Sequence, residues 1–125
     1  MLNVIHSENA PKAIGAYSQA IDMGNLVFLS GQIPLLPHTG QLCSEDFVEQ
    51  VHQVFKNCRE VCIAAGGDLS KVVKLTIFVT DMQNFPHVND VMMQYFTAPY
   101  PARSVVGVQS LPRQAQIEIE AVMSK

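Results

Sequence analysis

The stretch "FVEQVHQVFKNCREVCIAAGGDLSKVVKLTIFVTD", Phe47 to Asp81, changes its apolar period from helical to extended across a single glycine-marked boundary. Up to Ala65, the side chains Phe47, Val48, Val51, Val54, Phe55, Cys58, Val61, Cys62 and Ala65 recur every three or four residues. Glu49, Gln53, Lys56, Asn57 and Glu60 fall on the other side, so the spacing predicts an amphipathic helix with one dry face. Ser44 is the expected N-cap, Glu45 and Asp46 complement the dipole of the first turn, and Gly66-Gly67 supplies the stop. Beyond the glycines, "KVVKLTIFVTD" is rich in β-branched residues and predicts a strand. Its alternation places Val73, Leu75, Ile77 and Val79 on one face and Val72, Lys74, Thr76 and Phe78 on the other.

Working outward, Asn3 to His6 reads as a short strand and "SENAPKAIG" as an irregular segment broken by Pro11 and Gly15. Tyr17 to Ile21 and Leu26 to Gln32 flank "DMGN" as a hairpin, with Gly24-Asn25 able to take the positive φ of a tight turn. The second of these strands runs from core residues into Ser30-Gly31-Gln32, the small polar end at which a ligand can meet backbone. Downstream, "NFPHVNDVMMQYF" suits a second helix, with Pro86 in its first turn and Val88, Met92, Tyr95 and Phe96 as its apolar stripe. "ARSVVGVQSLPRQAQIEIEA", Ala102 to Ala121, closes the chain as two strands joined by a proline-containing turn. Strands, helix, strand, helix, strands make an α+β protein, a mixed β-sheet with two helices packed on one face. Several strands are apolar on both faces, so the uncovered side of the sheet predicts a homo-oligomer with clefts where subunits meet.

Composition bounds the function. The 125 residues, 48% hydrophobic and 15% charged, suit one domain spanning 1–125. Eight basic against eleven acidic residues give a net charge of -3, with no basic patch to neutralise several phosphates. Neither nucleic acid nor an anionic membrane is an expected partner. The N-terminus lacks the pattern of a secretory leader and no apolar run approaches the roughly 20 residues that cross a bilayer, so the expected location is cytoplasmic. Of the three cysteines, Cys58 and Cys62 lie on the helix stripe as small core hydrophobes, and His6 and His52 form no metal-binding pattern with them. No metal site is predicted.

The charges in the last two strands need a reason. In "IEIEAV", Ile117, Ile119 and Ala121 share one face and Glu118, Glu120 and Val122 the other. Carboxylates on a strand can simply discourage edge aggregation. They can also serve chemistry if a cation lies near, and Arg103 opens the preceding strand; an antiparallel hairpin would bring it toward the acidic face. A guanidinium offers a planar fork for a small carboxylate, while an ordinary ion pair with Glu118 or Glu120 is the structural alternative.

Four blocks carry a family resemblance: "AIGAYSQAI" (Ala13 to Ile21), "FLSGQIP" (Phe28 to Pro34), "YPARSVVGVQSLP" (Tyr100 to Pro112) and "IEIEAV" (Ile117 to Val122). In this order and spacing the chain resembles the RidA (YjgF) family over almost its whole length. The resemblance implies a chorismate-mutase-like α+β fold, a homotrimer with active sites between subunits, and hydrolysis of reactive enamines and imines, such as 2-aminoacrylate and 2-iminopropanoate, to 2-oxo acids and ammonia. It implies no cofactor. By matching positions, Arg103 would hold the substrate carboxylate and Glu118 would activate the attacking water. The backbone around Gly31 and at Val105 would line the site, Ser30 and Tyr17 would close it, and Asn89 would contribute from the second helix. The chain departs from the common pattern at Ala16, Val105, Gly107 and Ser110, which bears on substrate range more than on reaction type. Two other classes stay open: an endoribonuclease or translation inhibitor, against which the acidic balance counts, and a noncatalytic module that binds small carboxylates or shields unfolded chains.

Overall fold

The computed structural model describes residues 2–125. Its strands are β1 (Asn3–Ile5), β2 (Ala20–Asp22), β3 (Leu26–Gln32), β4 (Val72–Val79), β5 (Ala102–Gly107) and β6 (Ile117–Ser124), and its helices α1 (Phe47–Ala64) and α2 (Phe85–Tyr95). All six strands form one sheet in the order β1-β2-β3-β6-β4-β5. Every neighbouring pair is antiparallel except β4 and β5, which run parallel with α2 as their crossover. The fold is thus a mixed sheet with α1 against β3 and β6 and α2 against α1, the α+β arrangement expected from the alternating periods.

Burial explains why β6, last in the chain, inserts into the middle. Ile117, Ile119 and Met123 are fully buried against α1, where Val51, Val54, Phe55 and Val61 meet them. Each such side chain contributes about 1.5–3 kcal/mol when taken from water, and only a central strand offers a helix to cover the whole row. The two helical cysteines are buried in the same core. Burial pushes the Cys62 thiol up to about 12 and raises that of Cys58 as well, so both stay protonated packing groups.

Four departures of the local structure from the sequence expectations have a clear physical cause. First, α1 is capped by Asp46, whose carboxylate accepts from the Glu49 N–H at 3.0 Å. Ser44 stands behind this cap, its hydroxyl accepting from the Asp46 N–H and donating to the Glu49 carboxylate. Second, Asn57 is buried rather than solvated. Its amide donates to the Leu35 carbonyl at 3.0 Å and accepts from Gln53, because the loop passing under α1 carries backbone oxygens that need donors.

Third, the phase of β4 slips at its start: Val72 is buried and Val73 exposed, since a bulge between Val72 and Lys74 shifts the pairing with β6. From Leu75 onward the expected inward row of Leu75, Ile77 and Val79 holds. Fourth, the last two strands are not a hairpin. The link between them passes the end of β4, where the Val108 N–H donates to the Val79 carbonyl and the Thr80 N–H donates to Gln116, and β4 lies between β5 and β6. The first hairpin does form around Gly24, φ +106°, with its leading strand starting at Ala20 rather than Tyr17.

On the face turned from the helices, Ile21 lies opposite Phe28 and Phe28 opposite Val122, whose next partner is Lys74, while Phe78 and Val106 pair farther along β4, beside Glu118. Phe28 and Val106 are 43% and 41% exposed there, a partly apolar surface in the chain as it stands. No helix of the described residues is long and apolar enough to cross a membrane.

Candidate active site

β3 and β6 pair regularly from Leu26 to Leu29, then break: Leu29 lies opposite Ala121 but Gln32 lies opposite Ile119. Three steps on one strand match two on the other, so Ser30-Gly31 forms a β-bulge. The bulge brings Gly31 against the Glu118 side chain. A methyl group on Gly31 would collide with the Glu118 carboxylate, with Cδ at 2.9 Å from the added atom, so only glycine leaves room for the acid here.

Glu118 lies on the face of β6 turned from the helices, half-buried in a cleft of about 630 Å³ whose walls include Gly31, Ser30, Tyr17 and Glu120. Burial, and then the charge of Glu120, raise its carboxyl above the ordinary glutamate range. A carboxylate whose proton affinity is raised takes up a proton more readily than an ordinary glutamate does. Ser30 and Tyr17 are connected through the backbone. The Ser30 hydroxyl donates to the Ser18 carbonyl at 2.6 Å and the Ser30 N–H donates to Gln19 at 2.9 Å, tying the loop that carries Tyr17 to the bulge. Tyr17 itself is 51% exposed and leans on the cleft rather than packing into the core.

Sequence reasoning missed the residue that shapes that loop. Gln19 is buried, its amide oxygen accepting from the Ser7 N–H at 2.6 Å and its nitrogen donating to the Pro11 carbonyl at 2.9 Å. Lys12 and Arg113 also stand on the cleft, and Arg113 holds a left-handed backbone, φ +58°, while its guanidinium donates to the Gly40 carbonyl.

Arg103 is elsewhere. It pairs with Leu75 on β4, which in turn pairs with Ala121 on β6, so these three side chains share the helix-facing row. Glu118 pairs with Phe78 on the alternate row, so the arginine and the carboxylate point to opposite faces of the sheet. The antiparallel approach expected from the sequence therefore does not occur within one chain, and neither does an ion pair between Arg103 and Glu118 or Glu120. Arg103 lies in a second cleft, of about 570 Å³, with Asn89, Met92, Met93, Tyr100 and Pro101. Its Nη1 donates to Asn89 Oδ1 at 2.6 Å and touches Met92 Sδ at 3.7 Å, and the guanidinium lies 5.1 Å from the centre of the Phe85 ring. Asn89 thus meets Arg103 directly. The Val105 side chain packs half-buried against the core and lines neither cleft.

One cleft holds an acid with a raised proton affinity and the other a preformed cation, both of small-molecule size. Residues 7–124 match the family described as "Endoribonuclease L-PSP". The chain is similar to the RutC family protein y4sK of Sinorhizobium fredii, 48% identical, covering 99% of this chain and 98% of that protein. It is similar also to the 2-iminobutanoate/2-iminopropanoate deaminase of Dermatophagoides farinae, 42% identical over 96% and 94% of the two chains. Among solved structures, E. coli TdcF with bound serine superposes with a TM-score of 0.94 at 39% identity, covering 98% of each chain.

Proposed function

The chain belongs to the endoribonuclease L-PSP family, the RidA family of the sequence resemblance, and we propose that it hydrolyses reactive 2-imino and 2-enamino acids to 2-oxo acids and ammonia. The observation that carries this reading is the Glu118 carboxyl, seated on Gly31 at the bulge with its proton affinity raised. The name of the Dermatophagoides farinae relative and the serine bound to TdcF, a small molecule with an α-carboxylate, support the same chemistry.

In the proposed reaction Arg103 binds the substrate carboxylate through its fork of donors. Ionised Glu118 takes a proton from water as the oxygen attacks the protonated imine carbon, giving a carbinolamine. It then returns that proton to the nitrogen and, ionised again, takes the hydroxyl proton as ammonia leaves and the C=O forms, passing it on to solvent or to the departing ammonia. An enamine such as 2-aminoacrylate first tautomerises to 2-iminopropanoate; 2-iminobutanoate enters directly. The imine carbon is already electrophilic, so placement and one proton relay suffice, with no cofactor in the reading. Tyr17 and Ser30 close the cleft, Gly31 and Val105 offer backbone, and Asn89 serves the arginine.

Because the two groups face opposite sides of one sheet, the reaction requires Arg103 from a neighbouring copy. A heterologous contact that closes into a ring meets this need, and the apolar residues on the open face supply its surface, so we take the working unit to be a homotrimer of single-domain chains in the cytoplasm.

The test generates 2-iminopropanoate and 2-iminobutanoate with an amino-acid oxidase and traps surviving imine with semicarbazide. Wild type is expected to deplete the imine before trapping, and folded Arg103→Ala and Glu118→Gln proteins to leave it. Equal inertness of all three rejects the reading. Cleavage of RNA by the same preparation, abolished by the same variants, would favour an endoribonuclease.

A further inference from the structure

Arg103 sits on an edge strand and its side chain is long, exposed and flexible by nature, yet its guanidinium is held on three sides by α2. Asn89 accepts from Nη1 at 2.6 Å, Met92 Sδ approaches the same nitrogen at 3.7 Å, and the Phe85 ring centre lies 5.1 Å from the guanidinium carbon. Both hydrogen bonds of the arginine among the described residues leave from Nη1. The edge formed by Nε and Nη2 therefore has no protein acceptor, and that edge is the one that binds a carboxylate with two parallel hydrogen bonds.

We propose that Phe85 is a positioning residue: its ring beneath the guanidinium, with Asn89 fixing Nη1, presets the Nε and Nη2 edge of Arg103 for a substrate carboxylate. The inference rests on the reading of Arg103 as the carboxylate-binding group and deepens it. Phe85 does not line the cleft that holds Arg103. It acts by removing rotamers the arginine would otherwise lose on binding, so the cost of ordering is met during folding rather than on association. A ring serves better than an aliphatic group because its face attracts the cation, while neither competes for the N–H donors. Phe85 is also the first residue of α2, with Pro86 following it, so its backbone is set by the helix start and the ring has a rigid base.

The experiment compares wild type, Phe85→Leu, Phe85→Tyr and Arg103→Ala. Calorimetric titration measures Kd for 2-oxobutanoate, the expected product, and for 2-oxobutanamide, which lacks the carboxylate. The NMR signal of the Arg103 Nε–H reports the order of the side chain without any ligand. Phe85→Leu is expected to weaken 2-oxobutanoate about tenfold, the range of a cation–π contact, to leave 2-oxobutanamide unchanged, and to broaden the Nε–H signal. Phe85→Tyr keeps a ring face and is expected to restore both. Asn89→Asp places a competing carboxylate on the guanidinium and is expected to weaken 2-oxobutanoate further than Phe85→Leu does. Wild-type Kd and a sharp Nε–H signal in folded Phe85→Leu, with binding still lost in Arg103→Ala, overturn the positioning role alone. Affinity for 2-oxobutanoate that is indifferent to Arg103→Ala overturns the carboxylate reading and this inference with it.

Discussion

Glu118 and Arg103 are placed by different means. Glu118 stands on a central strand, between β3 and β4, and its surroundings are backbone: a bulge on one side and a regular ladder on the other. Arg103 stands on the edge strand and is held by the side chains of a helix. Backbone cannot yield without moving the sheet, whereas side chains can be exchanged for others of similar shape. The acidic half of the site is therefore the more brittle, and the basic half is where affinity can be tuned.

The largest effect is expected at the acid. Glu118→Gln should reduce kcat for 2-iminobutanoate about 10²–10⁴-fold, the usual worth of a positioned proton carrier. Gly31→Ala should approach the same loss while the protein stays folded, since the new methyl displaces the carboxylate. A Gly31→Ala enzyme of wild-type rate would show that the bulge does not position Glu118.

Mixed assemblies sharpen the comparison next. If each site takes its acid from one copy and its arginine from another, unfolding and refolding Arg103→Ala with Glu118→Gln in equal amounts should restore about one quarter of the sites, from random pairing in a ring. Continued inactivity of the mixture, with intact oligomers, would place both groups of a site on one chain.

At the arginine, Arg103→Lys should raise KM about 10- to 100-fold with a smaller change in kcat, because an ammonium cannot make the paired contact. The smallest expected effect is at Glu120. The acid limb of kcat/KM should lie above the ordinary glutamate range, because activity needs ionised Glu118 and its folded carboxyl holds its proton more tightly. Glu120→Gln removes the second cause of that shift and should move the limb downward, leaving the plateau unchanged. The same shift has a stability sign. A carboxyl raised on folding stabilises the protein below the unfolded value, and that stabilisation is lost as pH rises through the folded one. Glu118→Gln should therefore raise Tm relative to wild type at neutral pH and show no advantage in acid, as thermal scans across pH can check.

Most of the fold was legible because long periodic segments speak for themselves. The stripe from Phe47 to Ala65 and the row Leu75, Ile77 and Val79 fell where the spacing put them. What stayed hidden was pairing between distant segments. Nothing in "ARSVVGVQSLPRQAQIEIEA" tells β6 to leave β5 and enter between β3 and β4, because that choice is made by the cover α1 offers to Ile117 and Ile119. The phase slip at Val72 and the bulge at Ser30-Gly31 were hidden for the same reason, since a bulge exists only relative to a partner strand. The buried amides of Gln19 and Asn57 were unreadable because their acceptors lie in loops whose course the sequence does not fix. Of the site residues, Arg103 and Glu118 were recognised individually through the family motifs. Their separation onto opposite faces needed the register.

The bulge can also be viewed as one residue of surplus length. Leu29 and Gln32 both turn inward although three positions separate them, which regular alternation forbids. Removing Gly31 would leave Leu29 opposite Ala121 and the glutamine opposite Ile119 across an ordinary two-step ladder, with the inward and outward rows unchanged on either side. The sheet has no need of this residue. A one-codon deletion at Gly31 would thus close the space beside Glu118 while keeping every other strand in phase, so an inactive relative with an undisturbed fold lies a single in-frame loss away.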